Sequence, residues 1–598
     1  MPSGSEAPRW QLDSVYPGYE SEQYQSDRKA LRRACSSLLR KIDDSVSRKQ
    51  SPDRWIRNVV KKMDTAIGLY STLEAFIYCN YSVNTKDART VSELSSIEKD
   101  GLPLKDAQVR FRNAIRPLRR KLGKLAESSK AIDRFRFFLE EEAELANMQM
   151  PVAEENLAAD LQRPGADAWG RLQGTISSNL SWPWEGEERK TVVQLRALAM
   201  DPDRGVRRKA FEKEIEAWGS MEIPLAAALN GVKGSTVILD ERRKYESPLD
   251  HAAKQARISR ATLDAQISTM ERNLGVFRGY LKQKAKLIGE KKLAFYDLFA
   301  PVGEATRTWT FAEARDFILR QFSTFSRDLG DFAERAFRER WIDAEPREGK
   351  VGGAFCAPVP QAAESRILAN FDGSFDSLFT LAHELGHGYH GHVLKDLPFI
   401  QQDYPMTLAE TASIFCETIV FNRAVAEGSH DDRCTVLELF LQSSTQVIVD
   451  ILSRYRFEQA VFDRRRTAEL SPEEFCELMT QAQRDTYGDG LDGDALHPYM
   501  WAVKSHYYSA DLSYYNFPYA FGQLFGLGLY ATYREDEEGF PAKYRQLLQM
   551  TGRASANDVA SSVGFNIEDP GFWQGGIDVI AARAAEFASL VEERTTGQ

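Results

Sequence analysis

Histidine is scarce in this chain, with eight in 598 residues. Cysteine is scarcer still: six residues, at 35, 79, 356, 416, 434 and 476, show no CxxC pair or other metal-ligand spacing. That pattern excludes a cysteine-built zinc module and a disulfide framework, and it fits reduced, buried thiols in a cytoplasmic protein. The opening "MPSGSEAPRWQLDSVY" lacks a basic stretch followed by an apolar run, so no secretory leader is expected. No apolar run approaches the roughly 20 residues that cross a bilayer, which argues against a membrane partner. The net charge of −10 is spread over both signs, which argues against a nucleic-acid partner. Internal repeats and low-complexity linkers are missing as well. Nothing in the residues bears on the oligomeric state.

What is present is mostly helical texture. Apolar residues make up 43% and charged residues 27%, a globular balance on a chain long enough for several lobes. From 20 to 150 the apolar residues recur at three- and four-residue spacing, as in "SEQYQSDRKALRRACSSLLRKIDD". "RFRFFLEEEAELANMQMPVAEE" continues the pattern until Pro151 stops or bends it. Between 160 and 200, "GTISSNLSW" and "KTVVQL" read as two short strands around a turn at Pro183 to Gly186. Helical pattern resumes at "DPDRGVRRKAFEKEIEAWGSM", capped by Asp201 and Pro202, and runs to about 340. A second irregular stretch, 347–377, holds two strand-like runs, "VGGAFCA" and "RILANF". There Gly352 and Gly353 would let another backbone approach closely. Helix follows nearly to the end. The expected division is an N-terminal helical region with a small hairpin over 1–200 and a catalytic domain over 201–598.

Four of the eight histidines fall within "FTLAHELGHGYHGH", residues 379–392. His383, Glu384 and His387 spell H-E-x-x-H. On a helix, positions i and i+4 share a face, so two imidazoles can reach one zinc ion while Glu384 stands beside them as a base for a metal-activated water. Asp376 is the expected cap, and Glu384 is the one charge in "SLFTLAHELGHGYH". An uncharged helix is a buried helix, and buried His, Glu and His need partners that a metal supplies. The bland alternative is a pair of satisfied core histidines.

His390 shares that face but lies about 10.5 Å further along the axis than His383, too far for the same ion. His390 and His392 are expected in an outer layer or near substrate. The metzincin spacing also fails, because it needs Gly at 390 and His at 393 whereas the chain has His390 and Val393. The third ligand must come from another helix. "YPMTLAETASIFCETIVFNRAVAEG" is nearly all apolar yet holds Glu410 and Glu417 on one face. Glu410 is the expected ligand, the alternative being a capping box Thr407-x-x-Glu410. Glu417 would accept the free N–H of a ligating histidine and fix its tautomer.

With these residues in view, "LAHELGHGYH" followed by "LAETASIFCE" resembles the M3 family of zinc metallopeptidases, in its oligoendopeptidase F branch. The matching positions are His383, Glu384, Gly386, His387 and His390, then Ala409, Glu410, Ala412 and Ser413, with Glu417 beyond. "GKVGGAFC", "RILANFDGSFDSLFTLAHE", "GADAWGRLQGTISS" and "DPGFWQGGIDVIAARAAEFASLVEE" extend the likeness over most of the chain. The resemblance implies a mostly α fold: a two-lobed helical metallopeptidase of gluzincin-type HExxH, with a deep central channel and a few short strands. It implies one zinc (Zn2+) per chain and short unfolded peptide substrates, with folded proteins excluded.

Peptide hydrolysis also needs donors for the developing oxyanion. The aromatic segment "HPYMWAVKSHYYSADLSYYNFPYAFGQLFGLGLY" is where the resemblance places them. His506, Tyr515 and Tyr519 are the expected catalytic donors beside Glu384, and Tyr514 and His497 are further candidates for contact with substrate. Asn516 and Pro518 read as the cap and first turn of a helix reaching about 533. The substrate backbone is expected to pair with the strand at Gly352 to Phe355. Two rival functions remain: an HExxH carboxypeptidase, for which Lys504 is the one basic residue in 497–533, and a non-catalytic peptide-binding metalloprotein.

Overall fold

A computed structural model describes residues 7–44, 51–303 and 307–596. The chain is mostly helical, with five short strands among the described residues. Its contacts divide it into two compact units, each assembled from three stretches of chain. The first comprises Met1–Val152, Arg307–Arg423 and Thr532–Gly564; the second comprises Ala153–Thr306, Ala424–Ala531 and Phe565–Gln598. This partition does not follow the expected boundary at 200. The N-terminal helices belong to the unit that carries the H-E-x-x-H motif, and the hairpin near 185 belongs to the other.

In the first unit, helices Glu22–Asp43, Pro52–Val83 and Ala88–Ile115 pack against one another. Ser21 caps the first of them by accepting from Tyr24 N, worth about 1 kcal/mol. Its buried face is Tyr24, Arg28, Leu31, Cys35, Leu38 and Ile42, the three-to-four spacing legible in the sequence. Arg28 is buried because Glu93 at 2.7 Å and Asp100 at 2.6 Å neutralise it. Proline ends the next pattern as expected: helix Arg136–Met148 stops before Pro151.

A small sheet completes this unit. Strands β3 (Ile342–Asp343), β4 (Phe355–Val359) and β5 (Glu364–Leu368) lie in the order β3-β5-β4, with β5 parallel to β3 and antiparallel to β4. β4 is therefore an edge strand. Gly352 and Gly353 are not part of it. They form a bend before it, with Gly353 at φ +76°, and the Asn370 side chain holds that bend by donating to the carbonyls of Val351 at 3.1 Å and Gly353 at 2.9 Å.

In the second unit, β1 (Ser181–Pro183) and β2 (Arg189–Thr191) make the expected antiparallel hairpin. It is shorter than the sequence suggested: "GTISSN" finishes helix Ala166–Asn179, and "VVQL" opens helix Val192–Ala197. The next helix, Arg204–Gly219, is capped by Asp203 rather than Asp201; Asp201 instead accepts from Asp203 N and Arg207. Helix His430–Thr445 runs through one widened π turn, Gln446–Asp450, into Ile451–Arg465. That run, His430–Arg465, is long and apolar enough to cross a membrane by composition, a feature not apparent on reading the sequence, but 61% of its most apolar window is buried within the protein. All six cysteines are free thiols.

Candidate active site

The H-E-x-x-H motif lies on helix Phe375–Leu394. Ser374, not Asp376, caps it by accepting from Ser377 N; Asp376 sits in the first turn. The helix packs on β4 and β5. His383 and His387 stand one turn apart, ring centroids 4.9 Å from each other. The second helix, Met406–Glu427, crosses beside Gly386. A Cβ at 386 would lie 2.6 Å from both the Ala412 carbonyl oxygen and Ser413 Cα, so glycine is what allows this approach. The approach turns Glu410 toward the two imidazoles.

The resulting distances are short. Glu410 Oε2 lies 3.1 Å from His383 Nε2 and 3.5 Å from His387 Nε2, and Ser413 Oγ donates to it at 2.7 Å. One ligand atom from each of His383, His387 and Glu410 can be chosen so that all lie within 4.8 Å of one another. The other ring nitrogen of His383, Nδ1, is 3.0 Å from Glu417 Oε2. An N–H at Nδ1 donating to that carboxylate leaves the Nε2 lone pair facing Glu410. The helix begins at Met406, so Thr407 falls inside its first turn and the capping-box alternative for Glu410 does not form.

Electrostatics separate the members of this group. Burial opposes charge on His383, but the Glu410 and Glu417 carboxylates outweigh it and raise its pKa well above the usual imidazole value. On His387 burial outweighs the Glu410 carboxylate and lowers the pKa to about 4. Glu410 is held down at about 2 despite its burial, chiefly by the His383 hydrogen bond. Glu384 goes the other way: burial, reinforced by Glu410 and Glu417, pushes it up to about 7 against the pull of His383. Its Oε2 is buried with no hydrogen-bond partner. Two imidazoles and a carboxylate are a zinc-type donor set, and an orphaned carboxylate oxygen beside them needs a polar occupant of the site. His383 and His387 keep 23% and 21% of their side-chain surface open, so the set is reachable from solvent.

His390 and His392 take other places. His390 is fully buried, its Nε2 2.8 Å from Thr551 Oγ1 and its ring stacked on Tyr404, so it is not presented to substrate. His392 lies against Phe332 and Tyr389, 3.8 Å from Asp328.

The aromatic segment belongs to the second unit. Helix Phe517–Glu535 follows it, with Pro518 in the first turn as expected. His506 stacks on Tyr515 at 5.4 Å, and the Tyr515 and Tyr519 hydroxyls share a hydrogen bond. These three thus form one cluster. Tyr514 and His497 do not join it. Tyr514, at φ +54°, is buried between Tyr455 and Phe462. His497 is fully buried between Phe211 and Phe295, 3.5 Å from Glu214. Both side chains are buried apart from that cluster. The Asn516 side chain is not used as a cap: it joins Arg454 to His506. Sequence reading placed Ser413 in the motif but gave it no role, although its i+3 spacing from Glu410 was visible, and it missed Arg454 and Thr551, whose partners lie far away in the chain.

Residues 197–578 match the family described as Peptidase family M3, and residues 119–181 match the one described as Oligopeptidase F. Among curated proteins, the chain is 23% identical over 425 residues to an oligoendopeptidase F homolog of Lactococcus lactis, covering 70% of each. It is 25% identical over 404 residues to the group B oligopeptidase PepB of Streptococcus agalactiae, covering 66% of each. The crystal structure of oligoendopeptidase-F from Enterococcus faecium superposes with a TM-score of 0.70 at 16% identity, over 95% of this chain and 100% of that one. A Chlamydophila abortus protein of known structure superposes with a TM-score of 0.82 at 19% identity, over 97% and 98%.

Proposed function

The chain belongs to peptidase family M3, in its oligoendopeptidase F branch, and from that premise we propose that it is a zinc-dependent endopeptidase that cuts short unfolded peptides and leaves folded proteins intact. The observation that carries this reading is the convergence of His383, His387 and Glu410 beside a buried Glu384 whose Oε2 has no partner. His383, His387 and Glu410 would hold the ion. Bound there, zinc supplies a Lewis acid that acidifies a water and polarises a carbonyl.

The chain's own residues do the rest. Glu417 fixes His383 as an Nδ1–H tautomer, and Ser413 orients the Glu410 carboxylate. Glu384 takes the proton of the water that attacks the scissile carbonyl and hands it to the leaving amine. A carboxyl whose pKa lies near neutrality suits both transfers, and a neighbouring cation favours its ionised, accepting form. Tyr515, Tyr519 and His506 supply hydrogen-bond donors for the oxyanion and the peptide. The outer edge of β4 offers backbone groups to an extended substrate, with Gly352 and Gly353 leaving open space at its start. Six free thiols support a cytoplasmic location.

The test combines metal analysis with a peptide capped at both ends. The expected result is about one zinc per chain, internal cleavage of the capped peptide, and, for Glu384→Gln, full metal with turnover lower by about 10²–10⁴-fold. Cleavage restricted to peptides with a free C-terminus would make the protein a carboxypeptidase. Unchanged turnover in Glu384→Gln would remove that residue from the chemistry.

A further inference from the structure

Behind His506 lies a chain of side chains that the reaction as described does not use. It begins in the widened π turn. Asp450, the last residue of that turn, pairs with Arg454 one turn further along the helix, and Tyr487 Oη donates to Asp450 at 3.4 Å. Arg454 is largely buried, its side chain 16% exposed. One of its guanidinium nitrogens donates to Asn516 Oδ1 at 3.0 Å. Asn516, itself 6% exposed, brings Nδ2 to 2.7 Å from His506 Nε2.

The direction of every bond in this row follows from one fact. A guanidinium only donates, so the Asn516 atom facing Arg454 must be its carbonyl oxygen. The atom facing His506 is then the amide NH₂, which also donates. His506 Nε2 must therefore accept, and an imidazole nitrogen accepts only when it carries no proton. A proton on Nε2 would set two donors 2.7 Å apart in a half-buried place. Flipping the amide would move the same conflict to Arg454.

We propose that Arg454 and Asn516 are positioning residues that lock His506 as the neutral imidazole with its proton on Nδ1. Asp450 holds Arg454 in place from the π turn. Among the described residues no hydrogen bond from His506 Nδ1 to the protein is seen, so that N–H remains available to a ligand. The surrounding charges favour the same state. Arg454, Lys233 and Lys504 are the nearby cations, Asp450 and Glu458 are engaged by Arg454 and Lys233, and Tyr507 and Tyr515 flank the ring. Burial first, and then those cations, carry the His506 pKa down to about 2. The consequence for catalysis rests on the reading of His506 as a substrate donor: it would give a hydrogen bond to a peptide oxygen without carrying charge, and it would not serve as a proton-exchanging acid near neutrality.

The test is nitrogen-15 NMR of zinc-loaded, full-length protein labelled at histidine, with His506→Gln identifying the His506 signals. The expected spectrum has Nδ1 protonated and Nε2 unprotonated, unchanged from about pH 8 to about pH 5, across the range where an ordinary histidine titrates. Asn516→Asp places a carboxylate against Nε2, and the expected result is a proton on Nε2 and titration returning to that range. A wild-type signal with Nε2 protonated, or an imidazolium near pH 7, would overturn the proposal, as would an Asn516→Asp spectrum identical to wild type. The wild-type spectrum decides the matter alone if the variant does not fold. Turnover of capped peptide by His506→Gln is a separate readout. Full activity there ends the donor role of His506 and leaves the tautomer assignment standing, so the two failures are distinguishable.

Discussion

The helix from 375 to 394 and the segment from 497 to 519 both concentrate histidine and tyrosine, yet they are organised in opposite ways. On the helix, function follows from period. His383 and His387 face the neighbouring helix because they are one turn apart, and Glu410 meets them because Gly386 lets the two backbones close in. In the segment, adjacent residues part company. Tyr514 is buried against Tyr455 and Phe462 while Tyr515 stacks on His506. His497 is sealed beside Glu214 and His506 is not. Which of these residues is usable is decided by partners tens to hundreds of positions away, such as Arg454 and Phe211. Regular structure lets spacing speak for function; irregular structure hands the decision to tertiary contacts.

Substitutions can break this comparison from either side. The largest effect is expected at the helix pair. Glu410→Ala removes a ligand, so zinc content after dialysis should fall well below one per chain and turnover should drop to background. A fully metallated, active Glu410→Ala protein would undo the contrast. Next come the segment's phenols. Tyr515→Phe and Tyr519→Phe should each cost up to about 10²–10³-fold in kcat with metal content intact. Tyr514→Phe should alter turnover little, and an effect at 514 as large as that at 515 would mean the buried ring had been misjudged.

Glu417→Gln should act more mildly, since it loosens the orientation of His383 without removing a ligand. Zinc affinity is expected to fall about 10–100-fold, read by competition with a chelator. The smallest effect concerns His390, two turns from His383 and fully buried. Burial holds its pKa at about 3, below the ordinary imidazole value near 6.5. The unfolded chain therefore takes up this proton first as the pH falls. His390 contributes stability above about 6.5 that is lost progressively toward about 3. His390→Gln, which does not titrate, should lose less Tm than wild type between about pH 7 and pH 4. Parallel Tm curves for the two proteins would show that His390 carries no such linkage.

Much of the candidate site was legible in the residues. The H-E-x-x-H spacing, the need for a second helix, Glu410 on that helix and Glu417 behind it can all be read from i, i+4 and i+7 positions in unbroken helical pattern. The helical character of the chain and the stop at Pro151 were legible for the same reason. The caps at 203 and 374 were each misjudged by two residues because each helix start offers two capping residues, Asp201 and Asp203 at one and Ser374 and Asp376 at the other, and either satisfies the local preference. The bend at Gly352 and Gly353 passed for strand because the side chain that bonds its carbonyls, Asn370, lies 17 residues beyond Gly353. The split into discontinuous units was not legible at all, since no linker or change in composition marks positions 152, 306, 423 or 531.

One measurement bears most directly on the centre of this description: anomalous diffraction at the zinc absorption edge from crystals of metallated protein. A single strong peak is expected among His383 Nε2, His387 Nε2 and a Glu410 oxygen, each about 2.0–2.2 Å from it. A peak elsewhere, or a peak at the two histidines with Glu410 out of bonding range, would contradict it.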